Sequence, residues 1–423
     1  MNILLVTDSF PPGCGGSGWS TYELARALRA RGHAVSLVQP RVGTAAGARE
    51  YEGFTIEMFP VAATPVPYLR NYLKSERLHA RMVPYLRGVM DARRIEIVHG
   101  QHAMSAPASI TAAHAVGLPS VATVRDYWPV CYWSDLIHDP RSEGLCPRCS
   151  RAMMTRCIRP RGGAAWPLAL PLVPYMARNL AFKRRLLASA DLLVAVSSTI
   201  ERDLRERGPE LAGTRIVRVP NPVDCDALLA AAHAAPVPFE GRYILYAGKL
   251  APNKGVSHLV AACSRARLPW PLVVVGDGPE RAALEREASR AGLDAHFTGW
   301  LPRGEVIGWM AHASLLAFPS RGPESLSRVL IEASALGLPI AAMDTGGTRD
   351  IVLHEQTGLL STTVEGLSRD MTALAANPEL ARRLGQNAAH HARETFGAGS
   401  VAARMEALYR ELVETKKRRA ARV

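Results

Sequence analysis

The sequence predicts an α/β protein of two domains, each a parallel sheet with helices on both faces, and three observations carry that expectation. From residue 1 to 219, short β-branched runs (ILLVT, HAVSLVQ, IEIVHG, PSVATVRD, ADLLVAVS, TRIVRVP) alternate with longer amphipathic segments such as STYELARALRARG. After the prolines of VPNPVD the rhythm restarts with RYILYAGKL, PLVVVGDGPE, DAHFTGWL, ASLLAFPS and LPIAAMDT. The strands are continuous apolar runs instead of alternating ones, which is the pattern of parallel sheets covered on both faces. A chain of 423 residues that is 48% hydrophobic has material for more than one core. Two such domains meeting at the C-terminal ends of their strands would leave a cleft for ligand.

The chain carries 51 Lys and Arg against 38 Asp and Glu, a formal charge of +13 that favours anionic partners and reads as largely diffuse. No basic stripe interleaved with aromatics and no zinc-finger, RRM or basic-zipper pattern occurs, so nucleic acid is not an expected partner. The start, MNILLVTDSF, lacks a basic leader region and reads as a strand, which gives a cytoplasmic chain as the expectation.

Taken in chain order, the first feature is SFPPGCGGSGWS, which contains Gly13-x-Gly15-x-x-Gly18. A dinucleotide fingerprint needs its strand to run straight into the first glycine and an acidic residue about 20 positions on. Here Asp8 to Pro12 intervene, and the second strand ends in Val38-Gln39-Pro40 without a carboxylate. The glycines instead suit a phosphate-ready helix start, where Gly15 and Gly16 let backbone N–H groups face outward. His99 ends the apolar run of IEIVHG and is read as structural, and His102 follows that strand.

After VRDYWP comes an irregular insert, about residues 127–165, holding Cys131, Cys146, Cys149 and Cys157. A Cys-x-x-Cys pair plus two more thiols points to a structural zinc, with free thiols as the alternative; the second pair lacks the paired spacing. Cys14, Cys225 and Cys263 read as ordinary small core or loop residues. Residues 162–177, GGAAWPLALPLVPYMA, are uncharged but too short to span a bilayer, and Pro167, Pro171 and Pro174 interrupt them. Trp166 and Tyr175 beside Arg159, Arg161, Arg178, Lys183, Arg184 and Arg185 are the mix expected at an anionic membrane surface, with a covered apolar loop as the alternative.

In the second half, YAGKLAPNKG puts Lys249 after a strand and Lys254 before a helix, two cations able to converge on a diphosphate. VVVGDGPE adds Gly276 in a loop that can approach a ligand closely. In ESLSRVLIE, Ser325 or Ser327 can cap a helix whose apolar stripe is Val329, Leu330, Ala333 and Leu336. Glu332 falls at the edge of that stripe and needs donors such as ribose hydroxyls; Glu324 precedes the first turn, where free N–H groups and a carboxylate can meet a polar ligand. Asp224-x-Asp226 has the spacing of a metal-binding pair but sits in the linker, so metal catalysis is not expected.

The order GKLAPNKG, VVGDGPE, FTGWLP, PSRGPESLSRVLIEASALGLPI, GGTRDIV and TGLL, with DSFPPGCGGSG, IVHGQHAMS and VPNPVD before it, resembles the family 4 glycosyltransferases over nearly the whole chain. The resemblance implies a GT-B fold, with residues 1–219 as acceptor-binding domain, 220–390 as nucleotide-sugar domain, and a C-terminal helix and basic tail, 391–423, returning to the first domain. It implies that Glu332 binds the ribose, Glu324 the transferred sugar, and Lys249 and Lys254 the diphosphate. Ser325 and Leu326 would offer backbone N–H groups. His102 matches a cleft histidine near sugar and acceptor, and Arg125 and Asp126 become candidate acceptor contacts. Lys249 stands where Arg is usual, and Pro222 where the interdomain segment usually has Gly. The implied reaction is a retaining, metal-independent transfer of a sugar from a nucleotide-diphosphate donor to a glycan, lipid-linked or cell-envelope acceptor, by a cytoplasmic enzyme peripheral to the membrane. A nucleotide-sugar 2-epimerase on the same fold, and a non-catalytic basic protein binding membrane or nucleic acid, are the alternatives.

Overall fold

A computed structural model describes residues 1–43, 45–62, 64–139 and 144–421. It divides into two compact units, one of Met1–Asp139, Cys146–Pro222 and Ala398–Val423, the other chiefly Val223–Gly397.

The first unit is built on an eight-stranded sheet: β1 (Asn2–Val6), β2 (Ala34–Val42), β3 (Gly47–Tyr51), β4 (Phe54–Val61), β5 (Ile97–Gly100), β6 (Ser120–Val124), β7 (Leu192–Ala195) and β8 (Ile216–Arg218). Their spatial order is β3-β4-β2-β1-β5-β6-β7-β8, parallel except for the antiparallel β3–β4 pair. β1 lies centrally, its Leu4 and Val6 on one face and Ile3 and Leu5 on the other, each set in its own buried cluster. That is why this strand reads as a solid apolar run.

The helix Ala398–Ala420 belongs to this unit, and it closes one face of the sheet with Val401, Met405, Tyr409 and Leu412. Glu406 accepts from Arg31 (2.5 Å), and Arg215 grips Glu411 with two hydrogen bonds (2.5 and 2.9 Å). The basic run KKRRA continues the helix to Ala420.

The second unit holds β9 (Ile244–Ala247), β10 (Leu272–Val275), β11 (Ala295–Gly299), β12 (Leu315–Phe318), β13 (Ile340–Met343) and β14 (Leu359–Ser361). They form one parallel sheet in the order β11-β10-β9-β12-β13-β14. The order reverses at β9, so the loops after β9, β10 and β12 gather at a topological switch point, where ligands bind in open α/β sheets.

The insert is more regular than its sequence suggested. A helix spans Arg151–Gly162, a 3-10 stretch Gly163–Leu172 and a second helix Val173–Ala188, so the ordered excursion runs well past residue 165. Tyr132, Met154, Ile158, Val173, Met176 and Leu180 give it a small core of its own.

Candidate active site

In the second unit, Lys254 ends the 3-10 turn Pro252–Lys254 after β9, and Glu324 lies in the loop after β12. The Lys254 ammonium lies 2.5 Å from Glu324 Oε1, and the Ser320 hydroxyl donates to the same oxygen at 2.5 Å. Glu324 is buried, so its charge is held by these donors instead of by water. Lys254 remains partly open to solvent, and can turn its remaining protons to an incoming anion.

The loop carrying Glu324 is held by close backbone packing. Gly347 N–H donates to the Glu324 carbonyl (2.7 Å), while a Cβ on Gly346, at φ +55°, would fall 2.1 Å from that oxygen. Only glycine fits there. Gly276, at φ +142°, has the same kind of role: its Cβ would meet the Gly248 carbonyl oxygen at 1.9 Å, and its N–H donates to Gly299 (2.9 Å). That N–H is committed inside the fold, so as an expected donor contact Gly276 acts by letting two loops touch. Lys249 is exposed, and its carbonyl accepts from the Tyr246 hydroxyl (3.0 Å).

The helix of ESLSRVLIE starts at Arg328, with Ser327, one of the two candidate caps, accepting from Leu330 N–H through its hydroxyl (3.4 Å). Ser325 and Leu326 therefore lie in the turn before it. The expected stripe is corrected: Val329 and Leu336 are only half-buried, and Ile331 with Leu330 and Ala333 takes the inner face. Glu332 is buried and does need donors, and the chain supplies two of them. Arg328 donates to it at 2.7 Å and Arg303 also pairs with it. Burial alone would raise its pKa, but the two guanidinium groups outweigh burial and hold the carboxylate ionised below its usual range. Neither arginine was singled out in the sequence; Arg328, four residues before Glu332 on one helix, was the available signal.

Asp224 caps the helix Cys225–Ala234 through Ala227 N–H (2.9 Å), and Asp226 pairs with Arg393 (2.7 Å).

In the first unit, Asp8, His102 and Asp126 follow β1, β5 and β6, three adjacent strands. The Asp8 carboxylate accepts from Met104 and Ser105 N–H (both 2.9 Å) at the start of the helix Ser105–Ala115. Burial raises its pKa to about 6 against those bonds, and Asp126 nearby adds repulsion. His102 Nδ1 accepts from Asp8 N–H (3.3 Å), which puts the ring proton on Nε2. Among the described residues Nε2 is buried without a partner, and burial with the charge of Arg125 keeps the ring neutral. A buried N–H without an acceptor suits a ligand hydroxyl. Gln101 beside it likewise has both amide atoms buried and unpartnered.

Arg125 is turned to the fold itself, donating to Asn221 (2.8 Å) and the Gln101 carbonyl (2.8 Å). Asp126 accepts from Trp128 N–H (2.8 Å); burial raises its pKa, opposed by that bond and by the charge of Lys183. His99 bridges Tyr409 (2.5 Å) and Thr123 (2.6 Å). Gly15 and Gly16 are exposed at the start of the helix Gly16–Ala30, whose first N–H groups present the positive end of its dipole.

The four insert cysteines fall in one neighbourhood but not as a ready metal shell. Cys131 and Cys149 hydrogen-bond each other, which pulls the Cys131 thiol down to about 6 and pushes Cys149 up; Cys146 and Cys157 are electrostatic neighbours. Among the described residues, no group of three or more His, Cys, Asp or Glu is arranged to hold a metal ion.

Residues 14–227 match the glycosyltransferase family 4 profile and residues 233–391 that of the glycosyl transferases group 1. A GDP-mannose-dependent alpha-mannosyltransferase of Mycolicibacterium smegmatis is 29% identical over 85% of this chain and 84% of its own length. An exopolysaccharide phosphotransferase of Streptomyces coelicolor is 32% identical over 42% of this chain, a match that spans only 19% of that protein. The sucrose-phosphate synthase structure from Thermosynechococcus elongatus superposes with a TM-score of 0.69 over 98% of this chain and 100% of its own, at 20% identity, and shows the same two-domain GT-B fold. With its two parallel-sheet units, and the profiles covering both, the chain belongs to the family 4 glycosyltransferases.

Proposed function

We propose that the protein transfers a hexose, with retention and without a catalytic metal, from a nucleotide-diphosphate sugar to a glycan, lipid-linked or cell-envelope acceptor. The Lys254–Glu324–Ser320 group at the sheet's switch point carries this reading. Departure of a nucleoside diphosphate builds negative charge on phosphate and positive charge on the sugar. Lys254 answers the first charge, and the Glu324 carboxylate holds the sugar through its hydroxyls. Glu332 takes the ribose hydroxyls if the ribose joins or replaces one of its two arginines. The mannosyltransferase relative, named for GDP-mannose, supports a nucleotide sugar as donor.

His102 Nε2–H and Asp126 are the proposed acceptor contacts; Arg125 positions them from its bonds to Gln101 and Asn221. A cytoplasmic, peripheral placement goes with a lipid-linked acceptor. A structural zinc at Cys131, Cys146, Cys149 and Cys157 is the cofactor part of the proposal, supported by four gathered thiols, and it requires the outer two to close on the Cys131–Cys149 pair. Metal analysis of the purified chain is then expected to give close to one zinc, and a value near zero removes it.

The decisive assay incubates the protein with UDP-, GDP- and ADP-sugars and measures nucleoside diphosphate release, with the product's anomeric configuration read by NMR. One donor class should turn over, and Lys254→Ala should abolish most of the release. Conversion of donor to its 2-epimer with no acceptor would favour the epimerase instead.

A further inference from the structure

The positive charge is not spread evenly, contrary to its first reading from composition. Residues 144–190 hold nine Lys and Arg and no Asp or Glu, against a net charge of +13 for the whole chain. This is the stretch that forms the insert helices, and Arg151, Arg156, Arg159, Arg178 and Arg185 on it are exposed. Arg161 pairs with Asp135 and Arg184 with Glu210, and the exposed arginines, with no acid in their own stretch, set the local field.

Apolar side chains stand out from the same substructure. Not one residue of the 3-10 stretch Gly163–Leu172 is buried, and Leu168 at its middle is 83% exposed. A second tip comes from the helix Pro67–Tyr72 and the residue before it, with Val66 54%, Leu69 48% and Tyr72 44% exposed. Tyr68 from that helix and Trp166 and Ala169 from the 3-10 stretch pack against one small core, so the two tips flank a common base. Asn71 also donates to the Tyr132 hydroxyl (2.6 Å), and Asn179 to Glu76 (2.9 Å), which ties the two segments together.

We infer that this face of the first unit docks onto an anionic lipid bilayer, with Leu168, Leu69 and Val66 entering the headgroup boundary and the exposed arginines meeting lipid phosphates. Exposed apolar tips on a segment rich in exposed arginine are what such an interface selects, since the tips leave water and the guanidinium groups stay at phosphate depth. A nucleic acid would use the arginines and leave the aliphatic tips in water. No helix among the described residues is long and apolar enough to cross a membrane, so the segment lies on the surface. Pro167 and Pro171 keep it from forming an ordinary helix, which is tolerable where headgroup water reaches the backbone. The insert leaves the sheet directly after β6, beside Asp126, so docking there would bring the proposed acceptor contacts to the surface that a lipid-linked acceptor occupies. This inference rests on the peripheral placement proposed above, but its test does not.

The full-length protein is sedimented with vesicles of phosphatidylglycerol and phosphatidylcholine, and with phosphatidylcholine alone, at low and high salt. Binding is expected only to the anionic vesicles and should weaken at least tenfold at high salt. The double variant Leu69→Asp with Leu168→Asp, and the triple variant Arg151→Glu, Arg156→Glu, Arg159→Glu, should each weaken it at least tenfold at unchanged Tm. Nucleotide release measured without vesicles should stay within twofold in both. Wild type left in the supernatant with anionic vesicles overturns the inference. So does an aspartate variant that binds like wild type, or duplex DNA that binds with no dependence on Leu69 and Leu168. Failure to release nucleotide from any donor would sink the transferase reading and leave vesicle binding as it is.

Discussion

Lys254 and Glu324 are 70 residues apart, and their contact at 2.5 Å makes each a neutralising partner of the other. Lys254→Ala is expected to lower kcat for nucleotide release by about 10²–10³, the usual cost of removing one donor to developing charge. Glu332→Gln should act on stability first. It removes the buried carboxylate charge that Arg303 and Arg328 share, a loss of about 3–5 kcal/mol that a urea unfolding curve would show. Asp8 gives a pH signature. The folded chain keeps its proton up to about pH 6 and the unfolded chain releases it near the ordinary 3.8, so the folded state binds more protons between those values. The contribution of Asp8 to stability therefore falls as pH rises through that window, and Asp8→Asn should flatten the slope of Tm against pH there. An unchanged slope would place the proton elsewhere.

At the scale of elements, the strands that could be read were those whose burial on both faces leaves an uninterrupted apolar run, such as LLVAV and LVVV. The hairpin of β3 and β4 went unread because it is an edge, where charged residues alternate with apolar ones: AREY, then Glu52-Gly53, then FTIEM. Its signal was present in the turn, since Glu52 and Gly53 both take positive φ (48° and 70°), the geometry of a two-residue hairpin loop. The glycine loops divide in the same way. A Cβ on Gly15 would meet nothing within 4 Å, whereas on Gly276 it would collide with the Gly248 carbonyl. Gly15→Ala is expected to change stability by less than about 0.5 kcal/mol, and Gly276→Ala to disrupt the second unit, both readable by thermal melting. Spacing alone could not rank these glycines, because it does not say which backbone lies opposite.

For the whole molecule, the consequential feature is that residues 398–420 complete the first unit's core. A chain ending at Gly397 should lose the cooperative unfolding of that unit, since Val401, Met405, Tyr409 and Leu412 leave its sheet uncovered. Ending the chain after Lys416 keeps all four and should cost less than about 1 kcal/mol, as the pairs lost are exposed. Calorimetry of the two truncations separates these outcomes.

The sequence by itself determined the two α/β units and the order of their strands and loops along the chain, because strand periodicity and motif spacing are local properties of a chain, and its family resemblance singled out Lys254, Glu324, Glu332 and His102 as candidates. Only the tertiary structure decided what those residues touch: that Glu332 is held by two arginines, that Gly276 spends its N–H on Gly299, that Arg125 braces Asn221, and that Asp8 stands beside His102. Partners of a buried polar group are chosen by which strands lie side by side, and strand order is set by packing over the whole sheet, at separations that no local pattern encodes.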